Sequence, residues 1–305
     1  MRKILSFCVA TLCLYFAFKQ VNLEDINRAI SNSNFYYILI ALLTTYITFI
    51  LRSIRWKILL DSPSNLKLNK YISTTHIGYF LNNILPFRAG DLGRAKLLSN
   101  HSNQIRFSFL LGSLVAEKII DLWMIGFFSI YLIFFGFNDV LGLKFSIGIL
   151  LLYIITSLII FGNNSVVNNI QNKFSITKNF VDGYLLVSKN KLKLGIVSLL
   201  LWSSFVVYMV ALLKSINIHL SFEQYIGITI ITGIVTSLPI APAAIGTYHL
   251  AVIYFLSLYG IGIEQSQTAA ILLHSIFLLY TIILGYIYLS FEKVELKSLI
   301  DDNKN

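Results

Sequence analysis

The feature that most constrains this chain is the recurrence of apolar runs close to the length that crosses a lipid bilayer. A helix needs about 20 mostly apolar residues to span the hydrocarbon core. Only 12% of the 305 residues are charged, too few for the polar surface of a soluble domain. The sequence therefore predicts an all-α polytopic integral membrane protein. The runs are Ile4–Phe18, Phe35–Leu51, Phe107–Phe135, Phe145–Phe161, Leu194–Leu213, Tyr225–Tyr259 and Ala269–Leu289.

The distribution of basic residues predicts how the chain is oriented. Arg2 and Lys3 precede the first run, interpreted as an uncleaved helix, and five basic residues fall in an Arg52–Lys70 loop. Because Lys and Arg are enriched in cytoplasmic loops, both termini are predicted to be cytoplasmic in the inner (cytoplasmic) cell membrane. The basic residues in these loops, which give the chain its net charge of +10, then face the anionic lipids of the inner leaflet. We expect no nucleic-acid partner, because no basic aromatic module stands apart from the spans.

Two apolar segments do not fit a simple crossing. Tyr71–Pro86 is short, and a crossing would place the basic residues that follow it on the outer side. Tyr225–Tyr259 is too long for one helix and contains Pro239 and Pro242, each of which removes a helix hydrogen bond. Broken helices are tolerated at membrane depth where protein or a water-filled cavity surrounds them. We therefore predict about six full spans and two re-entrant hairpins, entered from opposite sides.

The two halves of the chain repeat one order of elements: span, span, broken hairpin, span. The segments LPFRAGDLG at Leu85–Gly93 and LPIAPAAIG at Leu238–Gly246 share L-P-x6-G. Since each half makes three crossings, one half is inverted relative to the other, as in transporters that bind substrate between discontinuous helices. A single transmembrane domain over 1–305 is predicted, with inverted halves 1–140 and 141–305. The predicted helix breaks are Pro86, Gly90, Gly93, Pro239, Pro242 and Gly246.

Ionisable side chains inside the apolar segments indicate a polar site. Glu117, Lys118 and Asp121 lie within one run, where each charge costs roughly 2.5–3.5 kcal/mol and therefore faces protein or water. Glu117 and Asp121 share a helix face, and two neighbouring carboxylates require cations, for which Arg88 and Arg94 are suited. The group is either an ion-pair network that holds the first hairpin, or a polar cavity for a headgroup or a proton path. The complete predicted network is Glu117, Lys118, Asp121, Asp91, Asn82, Asn83 and His249.

Arginine presents a planar fork to phosphate oxygens, which makes lipid phosphate the expected ligand. The predicted phosphate contacts are Arg88, Arg94, Lys96 and Arg55. We expect Asn82 and Asn83 to bond to backbone groups freed at the first break. Trp56, with Arg52 and Arg55, is interpreted as an interfacial anchor.

Catalytic and metal-binding motifs do not emerge from the sequence. No nucleophile is paired with a base, and no phosphate-binding glycine loop occurs. Cys8 and Cys13 are five residues apart, so they lie on different helix faces and do not form a metal pair. We therefore expect no enzyme activity, no metal and no cofactor.

Four ordered segments carry a resemblance to a known family. They are RSIRWKILL, IGYFLNNILPFRAGDLGRAKLL, SLVAEKIIDLW and SLPIAPAAIGTYHLAVIYFLSLYGI. They resemble the lysylphosphatidylglycerol synthase transmembrane region, a flippase-like domain family that includes the membrane half of the multiple peptide resistance factor. The family's R-x-G-E pattern is met by Arg88, Gly90 and Asp91, and its V-x-E-R-x-x-D pattern by Val115, Glu117, Lys118 and Asp121. Where the family carries Glu after the second break, this chain has His249.

The resemblance implies a flippase or scramblase that moves a phospholipid or a polyprenyl-linked headgroup between leaflets. A second hypothesis is a non-transporting accessory protein that presents lipid to a separately encoded glycosyltransferase or aminoacyl-lipid synthase. In two-domain members a soluble domain attaches lysine to phosphatidylglycerol. This chain ends at Asn305, shortly after its last span, so we expect no synthase activity.

Overall fold

The fold is helical throughout the part of the chain that the structure describes. A computed structural model describes Tyr15 and residues 31–60, 66–85, 88–101, 105–134, 138–161, 178–185, 190–238 and 241–292, with no strand in these ranges. The chain is thus an all-α membrane protein, as predicted. The helices in these ranges are α1 Phe35–Leu60, α2 Leu68–Ile84, α3 Ala89–Asn100, α4 Phe107–Phe134, α5 Asn138–Phe161, α6 Lys178–Leu185, α7 Lys191–Ser215, α8 Phe222–Ser237, α9 Thr247–Ser257 and α10 Ile263–Glu292.

Three of these helices, α1, α7 and α10, are long and apolar enough to cross a membrane. Helix α4 has 28 residues, but it carries the three ionisable side chains that the sequence places inside a span. The predicted first helix Ile4–Phe18, with Cys8 and Cys13, falls outside the described residues except for Tyr15. Pro86 and Pro239, two of the predicted breaks, are also outside them.

Both predicted hairpins are pairs of helices joined at a break. Helix α2 ends at Ile84 and α3 begins after Arg88, whose φ of 57° lies in the left-handed region. Helix α8 is followed by a 3-10 turn at Pro242–Ala244, and α9 begins after Gly246, whose φ is 83°. Proline supplies no backbone N–H and glycine tolerates positive φ, so Pro242 and Gly246 lie at a helix break, as predicted. That the hairpins are re-entrant stays a prediction.

The prediction that Gly90 and Gly93 break a helix is wrong. Both lie within α3 and are buried, and the break precedes them at Arg88. A Cβ at Gly90 would collide with the backbone oxygen of Gly78 and the backbone nitrogen of Asn82 on α2. The missing side chain thus permits backbone-to-backbone packing of the hairpin, a use of glycine that does not require a turn.

The predicted Arg52–Lys70 loop is also corrected, because α1 continues through its first nine residues to Leu60. Arginine has high helix propensity, so charge alone does not end a helix. Of the basic residues counted in this loop, Arg55 is fully buried in the protein and Lys57 is exposed. The predicted cytoplasmic position of both termini stays a prediction.

Helices α1–α4 and α7–α10 correspond at a constant separation in sequence. Gly93 and Gly246 are 153 residues apart, and the same shift carries α2 to within one residue of α8. Each contact between helices within one set has a counterpart within the other set. Contacts between the sets also match, since α2 packs on α10 as α8 packs on α4, and α1 packs directly on α7. This pattern supports an internal repeat, while its inverted placement in the membrane stays a prediction.

The apolar interior lies on both sides of the α1–α7 contact. The larger core includes Leu201, Leu212, Val252, Leu256 and Ala269, from α7, α9 and α10. A second core surrounds Trp56, Leu98 and Leu110, from α1, α3 and α4. Each hairpin therefore packs in a core built mainly from the helices of its own half.

Candidate functional site

A network of charged side chains joins α1, α3 and α4 inside the protein. Arg55 Nη1 lies 2.7 Å from Asp121 Oδ1, and Arg55 Nε lies 3.8 Å from Glu117 Oε1. Arg94 donates to the second oxygen of Glu117. Arg55 is 0%, Arg94 2% and Glu117 3% exposed. These pairs neutralise charges that would otherwise be costly in a low-dielectric interior.

Asp91 forms the centre of a second group of contacts. Its carboxylate lies 3.6 Å from Arg88 Nε, 3.8 Å from Arg94 Nε and 3.9 Å from Lys118 Nζ. Asn82 Nδ2 donates to the same carboxylate at 3.3 Å. The one-turn spacing of Arg88, Asp91 and Arg94 along α3 brings all three to a common side of the helix.

The interpretation of Trp56 as an interfacial anchor is wrong, because its side chain is completely buried. The indole Nε1 donates to Ser113 Oγ at 3.0 Å, and the guanidinium of Arg94 lies 4.7 Å from the ring centroid. Trp56 therefore covers one face of the buried arginine, where a cation–π contact replaces water. The anchor pattern misled because the helix extends from Leu51, the end of the apolar run, to Leu60, about two and a half turns further.

A cavity of about 400 Å³ opens between the two hairpins, bounded also by α1, α4, α7 and α10. Of the residues that the structure describes, three basic side chains line it: Arg52, Arg88 and Lys118. One described carboxylate, that of Asp121, joins them, so these four side chains carry two more positive than negative charges. Most of the remaining wall is apolar, including Leu122, Ile125, Phe205, Met209 and Phe277. Such a cavity combines a cationic region with a surface suited to hydrocarbon.

The structure divides the predicted site residues into two groups. Arg88, Lys118, Asp121, Asn82 and Asn83 line the cavity. Among the described residues, Arg55, Arg94, Asp91, Glu117, His249 and Lys96 are not part of its lining. The ion-pair network and the polar cavity, offered as alternatives on sequence grounds, thus coexist and share Asp121 and Lys118.

Asn82 and Asn83 do not make the backbone bonds that we expected. Asn82 donates to Asp91, and Asn83 Nδ2 donates to Thr281 Oγ1 on α10 at 2.7 Å. The amides instead connect α2 to a carboxylate on α3 and to a hydroxyl of the other half. They therefore fix the position of the hairpin through side chains.

Arg88 connects the two hairpins across the cavity. Its Nη1 donates to the carbonyl oxygen of Thr236, near the end of α8, at 3.0 Å. The left-handed backbone at Arg88 costs roughly 1–3 kcal/mol and is the kind of strain that clusters at functional sites. The first break is thus directly bonded to the second hairpin.

His249 belongs to a chain of hydrogen bonds that stabilises the second break. The Gly246 N–H donates to His249 Nδ1 at 3.3 Å, which leaves Nε2 to donate to His274 Nδ1 at 3.4 Å. His274 Nε2 then donates to the carbonyl of Ala243 at 2.9 Å. Ala243 and Ala244 both have positive φ, so the imidazoles tie a strained turn to α10.

The cavity wall also contains polar residues that were not predicted for the site, among them Arg52, Trp202 and His274. Trp202 Nε1 donates to Asp121 Oδ1 at 3.3 Å, and His274 holds the second break. The separation of the repeats could have indicated Arg52 and His274 as site residues. A shift of 153 residues takes Asp121 to His274 and Arg52 to Phe205. These pairs occupy equivalent helices in the two halves.

Comparison with known proteins gives two findings. The sequence model of the family described as the lysylphosphatidylglycerol synthase TM region matches residues 3–285. A UPF0104 membrane protein of Methanocaldococcus jannaschii is 29% identical over 218 residues, which cover 67% of this chain and 90% of that protein. The family match includes all of the residues that line the cavity.

Proposed function

This chain belongs to the lysylphosphatidylglycerol synthase transmembrane region family, and from that premise we propose that it is a lipid flippase or scramblase. The membrane region of that family implies a lipid-related function in the membrane. The proposed activity is movement of a phospholipid or a lipid-linked phosphate between leaflets of the cytoplasmic membrane. The proposal includes no enzyme activity for the chain.

The central cavity carries the proposal. Arg88 and Lys118 provide positive charge at one side, and the wall between them and α10 is largely apolar. A lipid headgroup attached to hydrocarbon has the same division, with an anionic phosphate next to apolar chains. Basic side chains and aliphatic surface within one cavity therefore suit an amphiphilic anion better than a small polar solute.

Helix α8 supplies a polar strip along the cavity. Thr229, Thr232 and Thr236 line it, spaced so that they lie on one helix face. Their hydroxyls donate to the carbonyls of Tyr225, Ile228 and Thr232 at 2.7–2.8 Å, which satisfies the hydroxyl protons and leaves oxygen lone pairs available. Such a strip lowers the cost of moving a hydrated headgroup past an apolar interior.

Arg94, Arg55 and Glu117 have a different role in this proposal. Their charges are satisfied by one another inside the protein. They hold the first hairpin against α1 and α4, so that Arg88 and Lys118 keep their positions at the cavity. Of the basic residues that line the cavity, Arg88 and Lys118 are accordingly proposed as phosphate contacts, and the buried ion pairs support them.

Flux measured in proteoliposomes tests the proposal. Vesicles carrying the protein are loaded with fluorescent phosphatidylglycerol, or with a fluorescent polyprenyl phosphate, and loss of signal to an impermeant quencher reports transfer between leaflets. We expect flux above that of protein-free vesicles for at least one probe. Arg88→Gln with Lys118→Gln should reduce it by about tenfold or more, the effect of losing charge-assisted contacts.

Arg106→Gln is the matched control, because Arg106 is exposed and lies away from the cavity. It should transport at the unmodified rate, and thermal unfolding in detergent should show that both variants are folded. Transfer of both probes at the protein-free rate by the unmodified protein would refute the proposed function.

A further inference from the structure

Among the described residues, one cation at the cavity differs from the others in having no carboxylate within 4 Å, since its electrostatic attraction to Asp121 acts over a longer distance. Arg88 and Lys118 both lie within 4 Å of the Asp91 carboxylate. Among the described residues, Arg52 makes no ion pair and no hydrogen bond through its guanidinium, and its Nε is buried without a partner.

The guanidinium of Arg52 is held by aromatic rings. Its Cζ lies 5.0 Å from the ring centroid of Tyr79 on α2 and 5.2 Å from that of Phe205 on α7. Cation–π contacts of this kind favour a fixed position for an arginine but leave its N–H groups unbonded. The side chain is therefore positioned by three helices and still has its donors available.

Arg52 lies where the two halves of the molecule pack on each other. It lies on α1 where α1 packs on α7, one turn from Thr48, whose Oγ1 is 2.7 Å from Ser204 Oγ. Phe205 is its equivalent under the 153-residue repeat. Arg52 thus lies at the contact between the repeats and lines the cavity between the hairpins.

A partly buried cation with no carboxylate within 4 Å gains free energy when an anion binds beside it. We propose that Arg52 is the principal anion-binding residue of the cavity and that its ligand is a phosphate ester. The planar N–H fork matches two phosphate oxygens. The lining charges of Arg52, Arg88, Lys118 and Asp121 sum to +2, which suits a phosphate monoester better than a zwitterionic headgroup. This inference rests on the proposed function for its lipid, and it gives that lipid a chemical class.

Binding to the purified full chain in detergent tests the inference separately from transport. The probes are dioctanoyl phosphatidic acid, dioctanoyl phosphatidylglycerol, dioctanoyl phosphatidylcholine and inorganic phosphate. Trp202, which lines the cavity, provides an intrinsic fluorescence signal. We expect phosphatidic acid to bind most tightly and phosphatidylcholine most weakly. Arg52→Gln should weaken phosphatidic acid binding by about tenfold or more, and Arg52→Lys by less.

Two further variants keep the test decisive. Phe205→Leu removes one ring while retaining the charge, and it should weaken binding of phosphatidic acid by a few-fold. Arg106→Gln, at an exposed arginine, should not change it. If Arg52→Gln does not fold, the ranking of Arg52→Lys and Phe205→Leu against Arg106→Gln decides the result.

The outcomes separate this inference from the transport proposal. Loss of phosphatidic acid binding in Arg52→Gln supports the inference even if the unmodified protein moves no lipid. Competition by inorganic phosphate identifies the free ion as a sufficient ligand, and its failure to compete identifies the lipid ester. Equal binding of phosphatidic acid by Arg52→Gln and Arg106→Gln, or equal binding of phosphatidic acid and phosphatidylcholine, overturns it.

Discussion

At the scale of single residues, burial decides what each charge does. Arg55 and Arg52 are three positions apart on α1, yet one is enclosed between two carboxylates and the other faces the cavity between aromatic rings. A buried cation that is already paired has little free energy to gain from a ligand, whereas an unpaired one has much. Adjacent arginines of one segment therefore serve structure and binding respectively.

Glu117→Gln tests the structural half of this division. The change leaves Arg94 without a carboxylate partner at its closest contact and removes one from Arg55. Breaking a buried ion pair by neutralising one member costs about 3–5 kcal/mol, so the free energy of unfolding should fall by this amount. Equilibrium unfolding in mixed micelles measures it.

Glu264→Gln is the matched control for this substitution, because Glu264 is exposed at the start of α10. It should change the unfolding free energy by less than about 0.5 kcal/mol. Equal stability of the two variants would contradict the assignment of Glu117 to a structural network.

At the scale of elements, each hairpin is held by a different chemistry. The first is fixed by ion pairs to α4 and by the cation–π contact of Arg94 with Trp56 of α1, and its helices approach closely at Gly90. The second is fixed by the His249–His274 chain to α10. Equivalent positions of a repeat thus carry charges in one half and neutral imidazoles in the other. Only the first half contributes basic side chains to the cavity lining among the described residues.

Gly90→Ala should separate the helices of the first hairpin. Its Cβ would overlap backbone atoms of Gly78 and Asn82, which cannot move as a flexible side chain can. Overpacking of this kind costs roughly 1–3 kcal/mol, and we expect a corresponding loss of thermal stability together with reduced flux. Thermal unfolding in detergent and the proteoliposome assay measure both effects.

Gly195→Ala, in α7, gives the comparison, since a Cβ there meets no atom within 4 Å. Alanine has the higher helix propensity, so this variant should be as stable as the parent or more stable, by up to about 1 kcal/mol. Equal destabilisation by both alanines would show that close backbone packing at Gly90 is not required.

At the scale of the whole molecule, the packing of α1–α4 on α7–α10 places the cavity between two repeats. Each hairpin contacts the last long helix of the other half, α10 for α2 and α4 for α8. A ligand in the cavity therefore touches both halves, and a change in their relative position would alter its exposure. This is the arrangement expected for alternating access in repeat transporters.

Side-specific labelling tests whether the repeats are inverted. Arg106 precedes α4, and Leu258, at the equivalent end of the second hairpin, precedes α10; both are exposed. In a background with Cys8 and Cys13 replaced by serine, Arg106→Cys and Leu258→Cys should react with an impermeant maleimide from opposite sides of the membrane. The predicted orientation places the first on the cytoplasmic side. Reaction of both from one side would rule out an inverted repeat.

The sequence by itself determined the membrane class, the family, the two hairpins and most of the charged cluster. Apolar length, helix breaks and ionisable groups inside spans can each be recognised in a short stretch of sequence. Placing any of them wrongly in the membrane would carry a large free-energy cost. It did not place Arg52, Trp202 or His274 at the cavity, nor show that Gly90 lies inside a helix.

Those features were decided by tertiary structure, because the energy of a charge depends on the groups that surround it. Arg55 lies between Asp121 and Glu117 of α4, whereas Arg52 contacts the rings of Tyr79 and Phe205 and has no described carboxylate within 4 Å. Both arginines look alike within a segment of α1. Packing of distant helices made one a structural cation and left the other available to an anion.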